Sequence, residues 1–262
     1  MAGHYYPVTI QATDAAGNVT TKDSKDTSIG SSLRLTVKEK VAPTMSITAP
    51  TSGAMLVNNK PTITWTVSDN DSGVDPATIK LTIDSTAITS GITKTAAGKG
   101  YSCSYTPPSA LTDGSHTIKF AASDYDGNAA SQKSVTFKVD TVPPTLTVSS
   151  PAEGFITNVA DLTVNGITND ATTSPVTLTI KLNSETAQTA TVESNGSFSK
   201  VLTLVSGTNT ITVTATDGAG KTSTITRTVV LDQVPPSITT ITLTPNPVDA
   251  GATYIISVSV TD

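Results

Sequence analysis

Sulfur, aromatic rings and positive charge are all scarce in this chain. Its 262 residues include one cysteine, Cys103, so no intrachain disulfide can form. Lys and Arg total 16 against 21 Asp and Glu, a net charge of −5, and the basic residues do not cluster. A nucleic-acid groove needs Lys or Arg to displace phosphate counterions, so that class is disfavoured. The two histidines, His4 and His116, and the lone cysteine offer no zinc-ligand spacing. No Gly-x-Ser-x-Gly elbow, phosphate loop or dinucleotide fingerprint occurs. The glutamates, Glu39, Glu153, Glu185 and Glu193, fall near loops or strand ends, and nothing favours a carboxylate pair for glycoside hydrolysis. No window approaches a membrane-spanning apolar run. Residues Met1 to Pro7 show neither a basic region nor the apolar stretch of a secretory signal. The expectation is a protein that is not an enzyme, with no catalytic, cofactor-binding or metal residue assigned and no nucleic-acid or membrane partner.

What is present is β-chemistry. Hydrophobic residues make up 36% and aromatics 4%, and much of the polar remainder is Thr and Ser. Val, Ile and Thr recur in period two. β-branched side chains favour extended backbone, so this composition marks a folded chain, not a disordered one. Helical periodicity is missing.

One punctuation pattern repeats. Val41-Ala42-Pro43, Val142-Pro143-Pro144 and Val234-Pro235-Pro236 each precede an alternating run. Upstream of them stand Thr13-Asp14-Ala15-Ala16-Gly17-Asn18, Ser123-Asp124-Tyr125-Asp126-Gly127-Asn128 and Thr216-Asp217-Gly218-Ala219-Gly220-Lys221. The second and third marks enclose about a hundred residues, the size of one β-sandwich. In the first interval Ile63, Trp65 and Val67 share one face of a strand, as do Ile79, Leu81 and Ile83, then Val135, Phe137 and Val139. About seven strands with turns every 8–12 residues is the signature of an immunoglobulin-like sandwich. Trp65 reads as its core plug and Cys103, alternating with Tyr101 and Tyr105, as a small core hydrophobe. In the second interval Asn195-Gly196 is a hairpin signal, both residues tolerating positive φ.

The fold expected is all-β: tandem immunoglobulin-like sandwiches at 42–140 and 141–234 in an extended array. The linkers are stiffened because proline fixes φ and restricts its predecessor. Residues 1–41 match only the closing strands of a module and 235–262 only the opening ones. Their apolar positions (Val8, Ile10, Leu35, Val37; Ile241, Leu243, Ile256, Val258) find no complete partner sheet in their own sequence. Edge pairing with other proteins or with copies of the chain is expected to complete them.

One acidic cluster has two readings. Asp69, Asp71 and Asp75 fall in the loop after the second strand, and Asp124 and Asp126 in the loop before the last. The two loops share a pole of such a sandwich, where five carboxylates could cage Ca²⁺. Alternatively Asp, Asn and Gly simply build turns. The second module has Thr168-Asn169-Asp170-Ala171-Thr172 in the first of these loops, with one acid. A calcium-stiffened array is expected to carry the cluster in every module, which weighs toward turn building.

The stretch from Pro144 to Pro236 resembles bacterial immunoglobulin-like domains of the glucodextranase-B type. The residues concerned are Pro151-Ala152-Glu153-Gly154, Val164-Asn165-Gly166, Gly196-Ser197-Phe198, Gly207-Thr208-Asn209-Thr210-Ile211 and Ala215-Thr216-Asp217. The whole chain is also similar to immunoglobulin-like repeat proteins of tailed phages and prophages of Firmicutes, through His4-Tyr5-Tyr6-Pro7-Val8-Thr9 and Pro245-Asn246-Pro247-Val248-Asp249-Ala250-Gly251. That resemblance implies a non-enzymatic structural or adhesive virion component of tail, baseplate or decoration type. It would assemble in the host cytoplasm and touch a host surface glycan or protein. The alternatives are a spacer of a bacterial cell-surface adhesin and a carbohydrate-binding accessory module.

Overall fold

Residues 5–262 are described by the computed structural model, so His4 lies outside the described residues. The only helical element among them is a 3-10 turn, Gly30–Leu33. The chain forms two units, Met1–Val142 and Pro143–Asp262.

The first unit begins with four short strands, β1 (Tyr5–Pro7), β2 (Ile10–Thr13), β3 (Val19–Lys22) and β4 (Arg34–Thr36). β1 pairs antiparallel with β4, and β2 with β3. The β2–β3 turn is built by Asp14, whose Oδ1 accepts the Ala16 and Asn18 amides at 2.9 and 2.8 Å. Asn18 Nδ2 donates to its Oδ2.

Module one follows with nine strands: β5 (Thr44–Ala49), β6 (Met55–Leu56), β7 (Ile63–Ser68), β8 (Val74–Ile83), β9 (Thr86–Ile88), β10 (Thr93–Ala97), β11 (Gly100–Tyr105), β12 (Gly114–Asp124) and β13 (Lys133–Val139). They form two sheets in the orders β10-β11-β7-β5 and β6-β13-β12-β8-β9. The opening strand is split between sheets: β5 pairs antiparallel with β7, and β6 pairs parallel with β13. Gly53, at φ +77°, lies in the crossover. Period-two patterning drives the assembly. Ile63, Trp65 and Val67 point inward from β7 and meet Leu81, Ile118, Phe120, Phe137 and Val139 of the opposite sheet. Trp65 is 1% exposed, and its ring lies 4.9 Å from that of Phe120 at 53°.

Module two repeats the plan with β14 (Thr145–Ser150), β15 (Phe155–Thr157), β16 (Asp161–Asn169), β17 (Thr177–Leu182), β18 (Gln188–Ala190), β19 (Ser197–Thr203), β20 (Gly207–Thr216) and β21 (Thr222–Leu231). The sheets run β14-β16-β19 and β15-β21-β20-β17-β18. Here the partner of β19 at the position of β10 shrinks to one bridge, Val192 to Phe198. The core is Val164, Leu178, Ile180, Phe198, Ile211, Val213 and Val229 with their neighbours. Beyond it β22 (Ser237–Thr244) pairs with β23 (Ile255–Thr261), and every residue of both strands is exposed.

Both modules are therefore immunoglobulin-like sandwiches. Their strand counts exceed about seven because β6, β9, β10, β15 and β18 are short edge pieces. Such pieces carry too few residues for a visible alternation. At Asn195-Gly196 only Gly196 takes positive φ, at +83°; its amide donates to the Glu193 carbonyl. The left-handed turn between β8 and β9 instead uses Asp84 and Ser85, at φ 47° and 71°. A tight turn of that hand normally selects Asn or Gly. Here tertiary hydrogen bonds hold it. Asp84 Oδ1 accepts the Thr117 amide at 2.8 Å, and Oδ2 meets His116 Nδ1 at 2.5 Å. His116, 5% exposed, also donates from Nε2 to the Thr112 carbonyl at 2.7 Å. Module two has amides in the same places: Asn183, at φ 50°, and Asn209, fully buried and bonded to Val205, Gly207 and Asn183. The Gly-Thr-Asn motif is thus a satisfied buried polar node at the start of β20.

Candidate functional site

The N-terminal pole of module one gathers three segments: the approach 37–43, the loop 69–73 and the loop 125–132. Carboxylate oxygens of Glu39, Asp69 and Asp124 lie within 4.8 Å of one another. Asp69 and Asp124 are 6% and 2% exposed, and Glu39 is half-buried. Each is positioned by local chemistry. Asp69 Oδ1 accepts the Asp71 and Gly73 amides at 3.0 and 2.7 Å. Asp124 Oδ1 accepts the Asn128 amide at 2.8 Å and Oδ2 the Asn128 side chain at 2.7 Å. Burial works to raise the Asp124 carboxyl, and the Asn128 hydrogen bonds outweigh it and hold it below the ordinary aspartate value. Glu39 is tied in from both sides. Its amide donates to Asp126 Oδ2 at 3.0 Å, its carbonyl accepts from Asn128, and its Oε1 accepts from Ser72 Oγ at 2.8 Å. Its Oε2 is buried with no hydrogen-bond partner.

Of the five sequence candidates, then, the structure brings Asp69 and Asp124 together. Asp71 is exposed, Asp75 accepts the Ala77 amide within β8, and Asp126 orients Glu39. Glu39 was missed because it precedes the module. The repeat held the clue: counted back from the valine of each punctuation mark, Asp140 and Asp232 stand in register with Glu39.

The second module places the single acid of its first loop at the corresponding pole. In unit two Asp170 and Asp217 are 8% and 5% exposed, with carboxylate oxygens within 4.8 Å. Asp170 Oδ1 accepts the Thr172 and Thr173 amides at 2.8 and 2.6 Å. Asp217 Oδ1 accepts the Ala219 and Lys221 amides, both at 2.9 Å. Its Oδ2 is buried with no partner. One acid comes from each loop, Asp170 standing where module one has Asp69 and Asp217 where it has Asp124.

Other candidates behave as core. Cys103 is 3% exposed, and burial pushes its thiol up to about 11, against a smaller lowering by the Lys94 charge. A buried neutral thiol is a poor nucleophile. Ellman's reagent is expected to leave Cys103 unmodified in native protein at neutral pH and to titrate one thiol in denaturant. Full native reaction would contradict this. A groove of about 460 Å³ on module two is lined by Ser149, Thr191, Glu193 and Ser199, and its aromatic, Phe198, is 3% exposed, so no ring face is offered for sugar stacking.

Residues 144–233 match the family described as glucodextranase, domain B, and residues 43–119 match the bacterial Ig domain family. These matches agree with the sheet orders, which make the two modules tandem immunoglobulin-like sandwiches. Bacillopeptidase F of Bacillus subtilis (strain 168) is 33% identical over 114 residues, 44% of this chain and 7% of that protein. The chain therefore spans only a small part of that relative. Fibronectin(III)-like modules of Clostridium thermocellum CbhA resemble it with a TM-score of 0.44 at 16% identity, over 72% of this chain and 94% of theirs. An I-band fragment of titin does so with a TM-score of 0.47 at 13% identity, over 73% and 66%.

Proposed function

We propose that this chain is a non-enzymatic structural or adhesive component of a tailed-phage virion, in which immunoglobulin-like modules extend or decorate the particle. The observation that carries this reading is the whole-chain resemblance to phage and prophage repeat proteins, anchored at both ends by His4 to Thr9 and Pro245 to Gly251. The architecture supports it. Both modules bury their apolar residues in sandwich cores, and their buried acids and amides cap turns. Partners are other virion proteins or further copies, met through exposed strands. In β22 and β23 Ile241, Leu243, Ile256 and Val258 are each at least 46% exposed, and open strands recruit further strands. A host-surface glycan or protein is the second partner class.

The match to bacillopeptidase F favours a second reading, a spacer module within a larger bacterial protein. Mass spectrometry and immunogold labelling of purified particles separate the two. The chain is expected in fixed stoichiometry on virions. Its recovery only from cell-wall or secreted fractions would overturn the virion reading.

A further inference from the structure

We propose that the N-terminal pole of each module is a Ca²⁺ site, with ligand oxygens from Glu39, Asp69 and Asp124 in module one and from Asp170 and Asp217 in module two.

Turn building accounts for only part of these carboxylates. It explains every Oδ1, since each caps amides of its own loop. It does not explain two oxygens that are buried without a partner, Oε2 of Glu39 and Oδ2 of Asp217. Buried acceptors are normally paired, and these two lie at clusters of carboxylates, where a cation would satisfy them. The Asp217 orphan has a sequence cause. In the turns at Asp14 and Asp124 the fifth residue is Asn18 or Asn128, whose amide group donates to the second carboxylate oxygen. In module two that residue is Lys221, which donates only its backbone amide. The side-chain donor is gone, and Asp217, 5% exposed, keeps a free oxygen beside Asp170.

Charge balance points the same way. Carboxylates this close repel unless a cation or a proton intervenes. Neither the Lys22–Asp26 ion pair nor the contact of His116 with Asp84 involves these groups. The lysines bonded at the pole of module one neutralise none of the three acids. Lys38 donates to the Asp126 carbonyl, and Lys99 to the carbonyls of Asn70 and Asp71. The donors are all hard oxygens, without nitrogen or sulfur, which selects Ca²⁺ or Mg²⁺ over zinc. The loops give an irregular set, which Ca²⁺ accommodates and the strictly octahedral Mg²⁺ does not.

The test uses the full chain after chelator treatment. Isothermal titration calorimetry with CaCl₂ is expected to show saturable binding, tighter than for MgCl₂ by at least about tenfold. Calorimetric unfolding in Ca²⁺ should give higher Tm values than in EDTA, because a ligand of the native state stabilises it. Glu39→Gln should abolish binding at one site and Asp217→Asn at the other. Both substitutions keep acceptors for the local amides, so the turns survive. Lys221→Asn should weaken the second site by restoring a donor to Oδ2. A calorimetric trace without Ca²⁺ heat, with the same Tm in Ca²⁺ and EDTA, would overturn the proposal, as would binding that survives in the Glu39→Gln, Asp217→Asn double variant.

Discussion

Replacing Trp65 with Ala is expected to cost module one about 3–5 kcal/mol, the usual range for a core aromatic. Trp65 is 1% exposed, pairs across β7–β11 with Cys103, and stacks obliquely on Phe120 of the opposite sheet. Truncation removes a ring that packs across the two layers and leaves a cavity that β-sheet backbones do not readily collapse to fill. Because a domain is stable by only about 5–15 kcal/mol, this loss reaches the threshold of unfolding. Differential scanning calorimetry should show one transition lowered by more than about 10 °C or abolished. A second transition, from module two, should stay in place, since its core is a separate cluster. Trp65→Phe should cost less, because the indole Nε1 has no hydrogen-bond partner to lose. Unchanged stability of Trp65→Ala would remove Trp65 from the core.

Gly166→Ala is expected to be comparably damaging in module two, at about 3 kcal/mol or more. A Cβ at Gly166 would lie 2.0 Å from the Thr147 carbonyl oxygen and 2.7 Å from the Phe198 ring. The ring could turn. The carbonyl belongs to β14, whose register already shifts between Val148 and Ser150 opposite this glycine, so relief requires breaking the β14–β16 pairing. Gly154→Ala, where an added Cβ meets nothing within 4 Å but φ is +73°, is the comparison: strain without collision. Denaturant midpoints of the two variants should differ, with Gly166→Ala the lower. Equal midpoints would mean that the edge strand yields freely.

Gly166 also shows what a motif means physically. Val164-Asn165-Gly166 and Gly196-Ser197-Phe198 are separate signatures in sequence, and the fold explains them jointly. β16 and β19 pair Gly166 with Phe198, and the ring packs where a side chain would have been. The Gly-Thr-Asn motif resolves similarly into the Asn209 hydrogen-bond node, for which module one substitutes Asp84 and His116.

The all-β class, the two-module plan, the inward face of β7 and the burial of Trp65 and Cys103 were legible from the sequence. Each depends on an interaction of short range along the chain: alternation of apolar residues, β-branched propensity, and proline or Asp-Gly punctuation. The acidic pole was legible only in part. Asp69 and Asp124 stand in loops whose shared end follows from the sandwich plan. Glu39 joins them because the approach segment folds beside those loops, a contact across 33 residues from Ser72 and 87 from Asp126. Likewise only tertiary structure decided which carboxylate oxygens have partners. A hydrogen bond depends on direction and distance at a few tenths of an ångström, and residue type alone carries neither. The sequence by itself therefore determined the modules, through periodicity. Tertiary structure decided the pole, because it brings carboxylates remote in sequence within 4.8 Å of one another.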